Sequence, residues 1–406
     1  MPVETIHRIG SSAVVALVAF LGIARAQTLH DFVEAAAARN PELASLQGRR
    51  MAIDARQQAA VALTPGAPSL SGSYLTDQAV RNRNQREAQV GVSTPIWLPG
   101  EGTASRRLAD AEFARSSPQA ALLRLKIAGQ VRDLLDEFAL AQAEVGVSDR
   151  RLRDARALEA DVGRRTRARE ASDADLLLAR AERIGADAEL HERRSALDQS
   201  RIEFQGLVGM APLAAAAAEP VPPGLGPSLG TTHPRLEEAK GAVDVARANQ
   251  TLVGLQVRDN PEIGVVARRN RDIGGNVFDN SVGVEVRVPF ATQARNGPRR
   301  AAAQADLTEA SAGYAAAERE VGTEQQKAQV GYDNARVQRN LARERARALT
   351  QQSGLVGRGY WAGEVSLLDY LRARALAYDA DAANVRADIG VAKAVGRLNQ
   401  AFGIVP

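Results

Sequence analysis

The chain has no cysteine among its 406 residues. This absence excludes disulfides, thiolate metal sites and the lipid-bearing N-terminal cysteine of a lipoprotein. Aromatic residues are scarce, at 4%, which together with abundant alanine favours long, closely packed helices over one large globular core. Charge of neither sign dominates, with 52 basic against 48 acidic residues. Because arginines alternate with Asp and Glu, we expect solvated, salt-bridged faces and no nucleic-acid partner.

Long apolar runs are absent after the first 26 residues. Within that stretch Arg8 provides a positive n-region, residues 12–23 (SAVVALVAFLGI) are apolar but too short to span a membrane comfortably, and Ala24 to Ala26 end in small residues. We expect a signal peptide cleaved near Ala26/Gln27, with a retained anchor as the alternative. A mature chain of this kind has no inner-membrane helix and can enter a membrane only as a barrel.

Catalytic and metal-binding patterns are also missing from the sequence. The mature part has three histidines, His30, His191 and His233, which lie far apart in the chain. Nothing resembles a nucleophile elbow, a phosphate-binding loop or a His/Cys cluster. We therefore expect no enzyme, no metal site and no cofactor.

The sequence does contain one pattern written twice. The first match is between Asn40-Pro41-Glu42-Leu43 and His233-Pro234-Arg235-Leu236. The second is between Val90-Gly91-Val92 with Pro95 and Val282-Gly283-Val284 with Pro289. The third is between Ser172 with Asp175 and Ser366 with Asp369. A nearly constant offset, about 194 residues, indicates a duplicated unit. We assign residues 27–211 to a first structural repeat, 233–406 to a second, and the Pro/Gly-rich residues 212–232 to a linker.

Each repeat is predicted to run helix, β-hairpin, long helix, helix. The first has helices at 29–63, 100–162 and 172–207 around a hairpin at about 69–97; the second has helices at 233–258, 299–356 and 366–402 around a hairpin at about 261–290. Apolar residues from Ile127 to Val162 follow the spacing of a coiled-coil seam. Such a rod has no globular core, so we expect it to oligomerise.

Taken together, these features resemble the TolC family of outer-membrane efflux proteins over nearly all of the mature chain. The most specific residues precede the last helix: Tyr360, Gly363, Glu364, Ser366, Leu367, Leu368, Asp369 and Leu371. The resemblance implies a mainly α fold with a small β part: a homotrimer whose strands close one outer-membrane β-barrel, continued through the periplasm by a long α-helical coiled-coil barrel. Size and the missing lipid anchor favour the cobalt–zinc–cadmium, CzcC-like branch.

The function implied by the resemblance is a passive exit duct in the outer membrane of a Gram-negative bacterium. It would receive substrates, heavy-metal cations above all, from a periplasmic adaptor and an inner-membrane RND-type pump. Drugs or other organic compounds, or a type I secretion system, are the alternatives. A periplasmic coiled-coil adaptor or structural rod is the alternative of a different class, and the strands at Val90–Trp97 and Val282–Phe290 argue against it.

The resemblance also places a pore constriction at Asp369, Arg372, Asp175 and Tyr360. Asp369 matches the family's constriction carboxylate, which symmetry repeats into a ring that can hold cations, and Asp175 is its counterpart in the first repeat. Alternatively, each aspartate only stabilises a helix start through the helix dipole. Arg372 stands where some members carry a second Asp. It puts cation selectivity in doubt, and a contact with Asp369 would help to close the gate.

An adaptor-docking tip is implied around residues 160–176 and 354–372. Its residues are Val162, Gly163, Arg164, Arg165, Gly363, Glu364 and Ser366, and the alternative is a solvated turn rich in arginine. Because Arg169 takes the place of Gly363, we expect the two tips to differ.

Three aromatic residues lie in or at the ends of the predicted strands. Tyr74, Trp97 and Phe290 are typical of the girdle at which a barrel meets outer-membrane lipid. Packing where the barrel meets the helices is the alternative, since residues 98–102 (LPGEG) would form the turn there.

Overall fold

The computed structural model describes residues 28–80, 83–212, 219–222 and 233–406, so the predicted signal peptide and most of the predicted linker lie outside the described residues. In chain order the elements are α1 Leu29–Arg39, α2 Pro41–Ala60, β1 Ser69–Thr76, β2 Arg86–Pro95, α3 Glu101–Arg167, α4 Asp173–Val208, α5 Pro234–Leu255, β3 Glu262–Arg271, β4 Asp279–Arg287, α6 Gln293–Trp361 and α7 Leu367–Ala401. The mainly α fold with a small four-stranded β part is confirmed.

The single helix predicted over 29–63 is wrong, because it breaks into α1 and α2 at Asn40. Asn40 has an extended backbone, and its side-chain oxygen accepts hydrogen bonds from the amides of Glu42 and Leu43. A residue before proline is driven out of the helical region, while Pro41 itself is well placed in a first turn. The break was therefore visible in the sequence as Asn-Pro.

The two long helices extend beyond their predicted ends. α3 has 67 residues and α6 has 69, so each is about 100 Å long at ~1.5 Å per residue. α4 packs along α3, and α7 along α6. Ion pairs cross these interfaces, as where Arg151 contacts Glu182 at 3.0 Å and Glu189 at 2.7 Å.

The predicted coiled-coil seam forms the core of the first helical pair. Its residues Ile127, Val131, Phe138, Leu152, Ala155 and Val162 are all buried. At its upper end α1 joins the core, where Phe32 meets Phe204 edge to face with ring centroids 5.1 Å apart. The core is thus a narrow seam between helices and not a globular interior.

The four strands form one antiparallel sheet in the order β1-β2-β3-β4, which leaves β1 and β4 at its edges. The register puts two unlike faces on the sheet. The face that we call the apolar face carries Leu70, Tyr74, Val90, Val92, Ile263, Val265, Ala267, Val282, Val284 and Val286. The opposite, polar face carries serines, glycines, glutamates and Gln89. The apolar face is uncovered in the protomer: Val282 is 77% exposed.

A buried carboxylate fastens the sheet to the helices. Glu101 is 2% exposed and accepts hydrogen bonds from the Leu98 amide at 3.0 Å, Gln256 Nε2 at 2.9 Å and Asn260 Nδ2 at 2.6 Å. Asn260 also donates to the carbonyl of Ile96 at 3.1 Å. Glu101 therefore joins the β2–α3 turn to the segment that leads from α5 into β3.

Within the described ranges, no helix has an apolar stretch long enough to cross a bilayer.

Candidate functional site

The turns from α3 to α4 and from α6 to α7 have the same backbone. Arg169 has φ of 63° and Gly363 φ of 79°, both in the left-handed region that ends many helices. The amides of Glu170 and Glu364 close the turns on the carbonyls of Arg165 and Gly359, at 2.8 and 2.9 Å. Arginine thus adopts at one tip the backbone conformation that suits glycine at the other, and the predicted difference between the tips does not extend to this backbone conformation.

The two predicted gate aspartates both lie in the first turn of a helix that a serine caps, and Asp175 also accepts from the Ser172 amide at 3.2 Å. Ser172 Oγ donates to Asp175 at 2.7 Å, and Ser366 Oγ donates to Asp369 at 2.6 Å. Each serine in turn accepts from its aspartate's amide at 3.1 Å, which satisfies a free amide of the first helical turn. Arg372 lies 3.6 Å from the second oxygen of Asp369 in an exposed pair, a geometry that contributes little stability.

Tyr360 lies inside the tip, in a cluster of aromatic rings. It is 7% exposed, stacks on Tyr370 with centroids 5.2 Å apart and meets Trp361 edge to face at 4.9 Å. The guanidinium carbon of Arg165 lies 5.4 Å from its ring centroid. Burial raises the pKa of the Tyr360 hydroxyl, and Arg165 partly opposes the shift. Gly357 packs against the ring of Tyr370, since a Cβ at this position would come within 3.0 Å of that ring.

The other predicted tip residues divide into buried and exposed sets. Val162 is fully buried and packs with Leu158, Ala179 and Leu367. Arg164 is exposed and pairs with Asp161 at 2.7 Å, whereas Gly363 and Glu364 are exposed in the turn itself. A Cβ at Gly163 would make only ordinary contact with Leu176. The tip is thus a packed aromatic and aliphatic base under a polar rim.

Sequence reasoning missed a second contact between the two helical pairs. The hydroxyl of Tyr378 on α7 donates to the carboxylate of Asp154 on α3. Arg374 donates to Tyr378 Oη at 2.6 Å and lies 3.4 Å from Asp154. A groove of about 900 Å³ lies beside this triad, between α3, α6 and α7, with Trp361 in its wall. The 224 residues between Tyr378 and Asp154 explain why no periodicity could reveal the contact.

Sequence reasoning also missed a buried ion pair where α3 and the end of α7 meet the segment at residues 219–222. Arg132 is 5% exposed and binds both carboxylate oxygens of Glu219 at 2.7 and 2.8 Å. It also donates to Gln400 at 2.7 Å, and Asn399 donates to Glu219 at 2.9 Å. Glu219 belongs to the segment predicted as linker, so that segment is anchored to α3 and α7 at this point.

The three predicted interface aromatics occupy different positions. Tyr74 stands on the apolar face and is 65% exposed, and Phe290, beyond β4, is 90% exposed. Trp97 instead donates from Nε1 to the carbonyl of Ala62 at 3.1 Å and lies over Gly102. Trp97 thus makes the contact at the junction of sheet and helices that the sequence left as the alternative.

Among the described residues, no group of three or more His, Asp or Glu side chains is placed to hold a metal ion.

Comparison with known proteins assigns this architecture. Residues 228–404 match the family model described as outer membrane efflux protein. No curated protein is detectably similar to the chain in sequence.

Solved structures match nearly the whole chain. The outer membrane protein VceC of Vibrio cholerae superposes with a TM-score of 0.71 at 17% identity, covering 92% of this chain and 96% of its own. The CmeC outer membrane channel of Campylobacter jejuni gives 0.73 at 15%, covering 99% and 94%. The MtrE outer membrane channel of Neisseria gonorrhoeae, in its open state, gives 0.69 at 18%, covering 93% and 89%. The fold is therefore that of these channels, and the resemblance drawn from the sequence is confirmed at that level.

Proposed function

We propose, since residues 228–404 belong to the outer membrane efflux protein family, that the whole chain is a passive exit duct of a tripartite efflux system. A duct of this kind does no chemistry and supplies no energy. It continues the path of an inner-membrane RND-type pump and a periplasmic adaptor across the outer membrane of a Gram-negative bacterium.

The observation that carries the proposal is the uncovered apolar face of the sheet. Nearly all valine, leucine and isoleucine side chains of the strands lie on this face, Leu75 and Val266 being the exceptions, and those on the apolar face are mostly more than half exposed. Soluble proteins rarely leave such a surface in water. Lipid on one side and an aqueous lumen on the other account for both faces. The same pattern argues against the alternative of a periplasmic adaptor or structural rod.

The two free edges of the sheet support assembly into a ring. β1 and β4 each leave a row of unpaired amides and carbonyls, which hydrocarbon does not tolerate. A homotrimer would pair every edge and close a barrel of twelve strands, with the helices as its periplasmic tunnel. In this proposal residues 27–211 and 233–406 are two repeats, and the matching turns at Arg169 and Gly363 mark their equivalent tips.

The tip is proposed as both gate and docking site. Asp175 and Asp369 each keep one carboxylate oxygen outside the serine cap, and threefold symmetry would repeat both aspartates around the mouth. Exposed Arg164, Gly363 and Glu364 form the rim available to an adaptor, while buried Tyr360 supports the rim from within. The ion pair with Arg372 would weaken the attraction of the Asp369 ring for cations.

Heavy-metal cations are our proposed substrate class, and this rests on the resemblance alone. Drugs or other organic compounds, and the substrates of a type I secretion system, are the competing classes. A strain deleted for this chain would be exposed to zinc, cobalt or cadmium salts and, separately, to dyes and antibiotics. We expect sensitivity to the metals only; sensitivity to the organic compounds only would overturn the substrate class and leave the duct standing.

The duct itself is tested by fractionation and by migration in gels. The expected result is a protein in the outer-membrane fraction, with a mature N-terminus at Gln27, that runs as a trimer until it is boiled. A monomer in the soluble periplasm would contradict the proposal. Val265→Asp and Val284→Asp on the apolar face should abolish assembly, whereas Val266→Asp on the polar face should preserve it far better.

A further inference from the structure

The sheet separates its charged residues by face. All four acidic residues of the strands, Glu87, Glu262, Asp279 and Glu285, lie on the polar face. The arginines of that face, Arg268 and Arg287, pair with these glutamates at 3.0 and 3.9 Å. Four acidic residues against two arginines leave the polar face with a formal excess of two negative charges.

The apolar face carries three arginines and no acidic residue. Arg86 stands directly opposite Arg271 in the β2–β3 register, and Arg269 lies two residues before Arg271 on the same face. None of the three forms an ion pair with a described residue. Like charges directly opposite each other on a sheet are destabilising, so an anion bound among the three arginines would relieve their repulsion.

The arginine cluster lies at one end of the apolar face. Arg86 begins β2 and Arg271 ends β3, so the cluster lies at the hairpin-loop end, farthest from the helices. Below it the same face continues through Ala88, Val90 and Ala267. Tyr74 shares a level with Arg269 through its partner Ala88. An arginine cluster above an apolar wall and beside an aromatic ring marks the boundary between hydrocarbon and headgroups.

Two of the guanidinium groups are held ready for a ligand. The guanidinium carbons of Arg269 and Arg271 lie 4.5 and 4.8 Å from the ring centroid of Phe278. Arg271 is also fixed by donating from Nε to the carbonyl of Asn84 at 3.0 Å. Arg271 also donates from Nη2 to the side-chain oxygen of Asn84, so only its Nη1 hydrogens stay free for a ligand. Arg269 makes no hydrogen bond to a described residue, and free guanidinium N–H groups match the oxygens of a phosphate.

We propose that Arg86, Arg269 and Arg271 form a binding site for the phosphate groups of a lipid headgroup in the outer leaflet. The continuous apolar wall below the arginines would hold the acyl chains, which is why we commit to a lipid and not to free phosphate. The proposal rests on the proposed function, because the lipid reaches this face only if the sheet lies in the membrane.

The test uses the full-length protein in phosphatidylcholine nanodiscs doped with a bisphosphorylated acylated disaccharide or its dephosphorylated form. Bound glycolipid is counted by native mass spectrometry. The triple variant Arg86→Gln/Arg269→Gln/Arg271→Gln should bind the phosphorylated form about tenfold more weakly, which corresponds to ~1.4 kcal/mol. The matched control is Arg268→Gln/Arg287→Gln on the polar face, which should bind like the wild type.

Several outcomes would overturn the inference. These are equal binding of the dephosphorylated form, an equal loss in the polar-face control, or full displacement by 10 mM inorganic phosphate, which would indicate a free-phosphate site. If the triple variant does not assemble, Arg269→Gln alone is used, since this guanidinium packs on Phe278 and makes no hydrogen bond or ion pair with a described residue. About a threefold loss is then expected. A wild-type protein that does not insert into nanodiscs would refute the duct itself, whereas an inserted trimer indifferent to phosphate would refute only this site.

Discussion

Arg169 adopts the same left-handed backbone conformation as Gly363, with φ of 63° against 79°. The Cβ of an L-residue makes this region unfavourable, whereas glycine enters it freely. The first turn thus carries a local strain that the second lacks. A strained turn at one tip and a relaxed one at the other would make the two helical pairs unequal in stability although their backbones match.

Replacing Arg169 by glycine should relieve this strain. We expect Arg169→Gly to raise the stability of the proposed trimer by about 0.5–1 kcal/mol per protomer, because the turn geometry is already that of glycine. The temperature at which the trimer band is lost on gels measures the change. Gly363→Arg should have the opposite sign. Arg167→Gly, which puts glycine into the last helical turn of α3, should lower stability, and a gain there would contradict the argument.

Removing the Tyr378 hydroxyl should loosen α7 from α3. Burial raises the pKa of Tyr378 to about 12, so the hydroxyl stays protonated and continues to donate to Asp154 at any physiological pH. Tyr378→Phe loses that bond and the one from Arg374, each worth about 1 kcal/mol. If the tip gates the duct, single-channel recordings should show a larger conductance or longer open times.

The matched control is Tyr332→Phe on α6. Its ring contacts Arg336, and no hydroxyl bond is lost. Equal conductance in Tyr378→Phe and wild type would show that the Tyr378–Asp154 contact does not hold the tip closed.

Truncating Glu219 should destabilise the contact of its segment with α3 and α7. Arg132 would keep its bonds to Gln400 and to the Ile404 carbonyl but, while still buried, would lose the carboxylate of Glu219, which is the one carboxylate partner it has among the described residues. Breaking a buried pair from one side costs about 3–5 kcal/mol, and the remaining bonds reduce our expectation for Glu219→Ala to ~2–3 kcal/mol.

Thermal unfolding measures the effect of Glu219→Ala, with a surface pair as reference. Arg56 and Glu112 are 3.1 Å apart, but the Arg56 side chain is 67% exposed, so Glu112→Ala should cost less than ~1 kcal/mol. The double variant Arg132→Met/Glu219→Met should recover part of the loss. Equal effects of Glu219→Ala and Glu112→Ala would show that Glu219 does not anchor its segment.

Asp136 should make stability depend on pH. Burial raises its pKa from 3.8 to about 6; Asp133 and Glu219 add to the shift, and Lys393 and Arg397 oppose it. Because the folded pKa lies above the unfolded one, the folded state binds more protons between about pH 4 and 6. Stability therefore falls as pH rises through this window. Asp136→Asn should remove that fall and be more stable at pH 7 by ~1 kcal/mol, after allowance for solvent screening.

Denaturation midpoints at pH 4.5 and 7 compare the wild type, Asp136→Asn and Asp133→Asn. Asp133 is exposed, and its replacement removes only a repulsion, so most of the pH dependence should remain. Equal pH slopes in the wild type and in Asp136→Asn would assign the dependence to another group.

The sequence predicted the helices and strands of this fold where apolar residues recur with a helical or a strand period. Alternation predicted the strands of both hairpins, and the apolar seam predicted the burial of Val131 and Phe138. The break at Asn40 was also written in the sequence, but helical periodicity across it outweighed the proline signal. Helix ends were set too short, because arginine-rich turns such as Arg164 to Arg167 look like loops although arginine is a good helix former.

The contacts that distinguish this chain could not be read in that way. Glu219 lies in a segment of low complexity, and its partner Arg132 is 87 residues away. The pairing of β2 with β3 brings Arg86 beside Arg271 across 185 residues of chain, and only the register reveals it. Periodicity describes one element at a time, and the family resemblance named the aspartates at the tips, but neither revealed which side chains hold those tips together.

The position of β1 and β4 at opposite edges has a consequence in terms of symmetry. Each protomer presents two different edges, and a contact that pairs β1 of one copy with β4 of the next is head-to-tail. Head-to-tail contacts close into a ring only when the rotation between copies divides a full turn, and otherwise they propagate as an open filament. In the proposed trimer, the curvature of the sheet would decide between a pore and a fibre. Gly91 and Gly264 let the central strands approach closely, since a Cβ would come within 3.0 and 2.7 Å of neighbouring atoms, so replacing them would change the path of these strands and, with it, the rotation between copies.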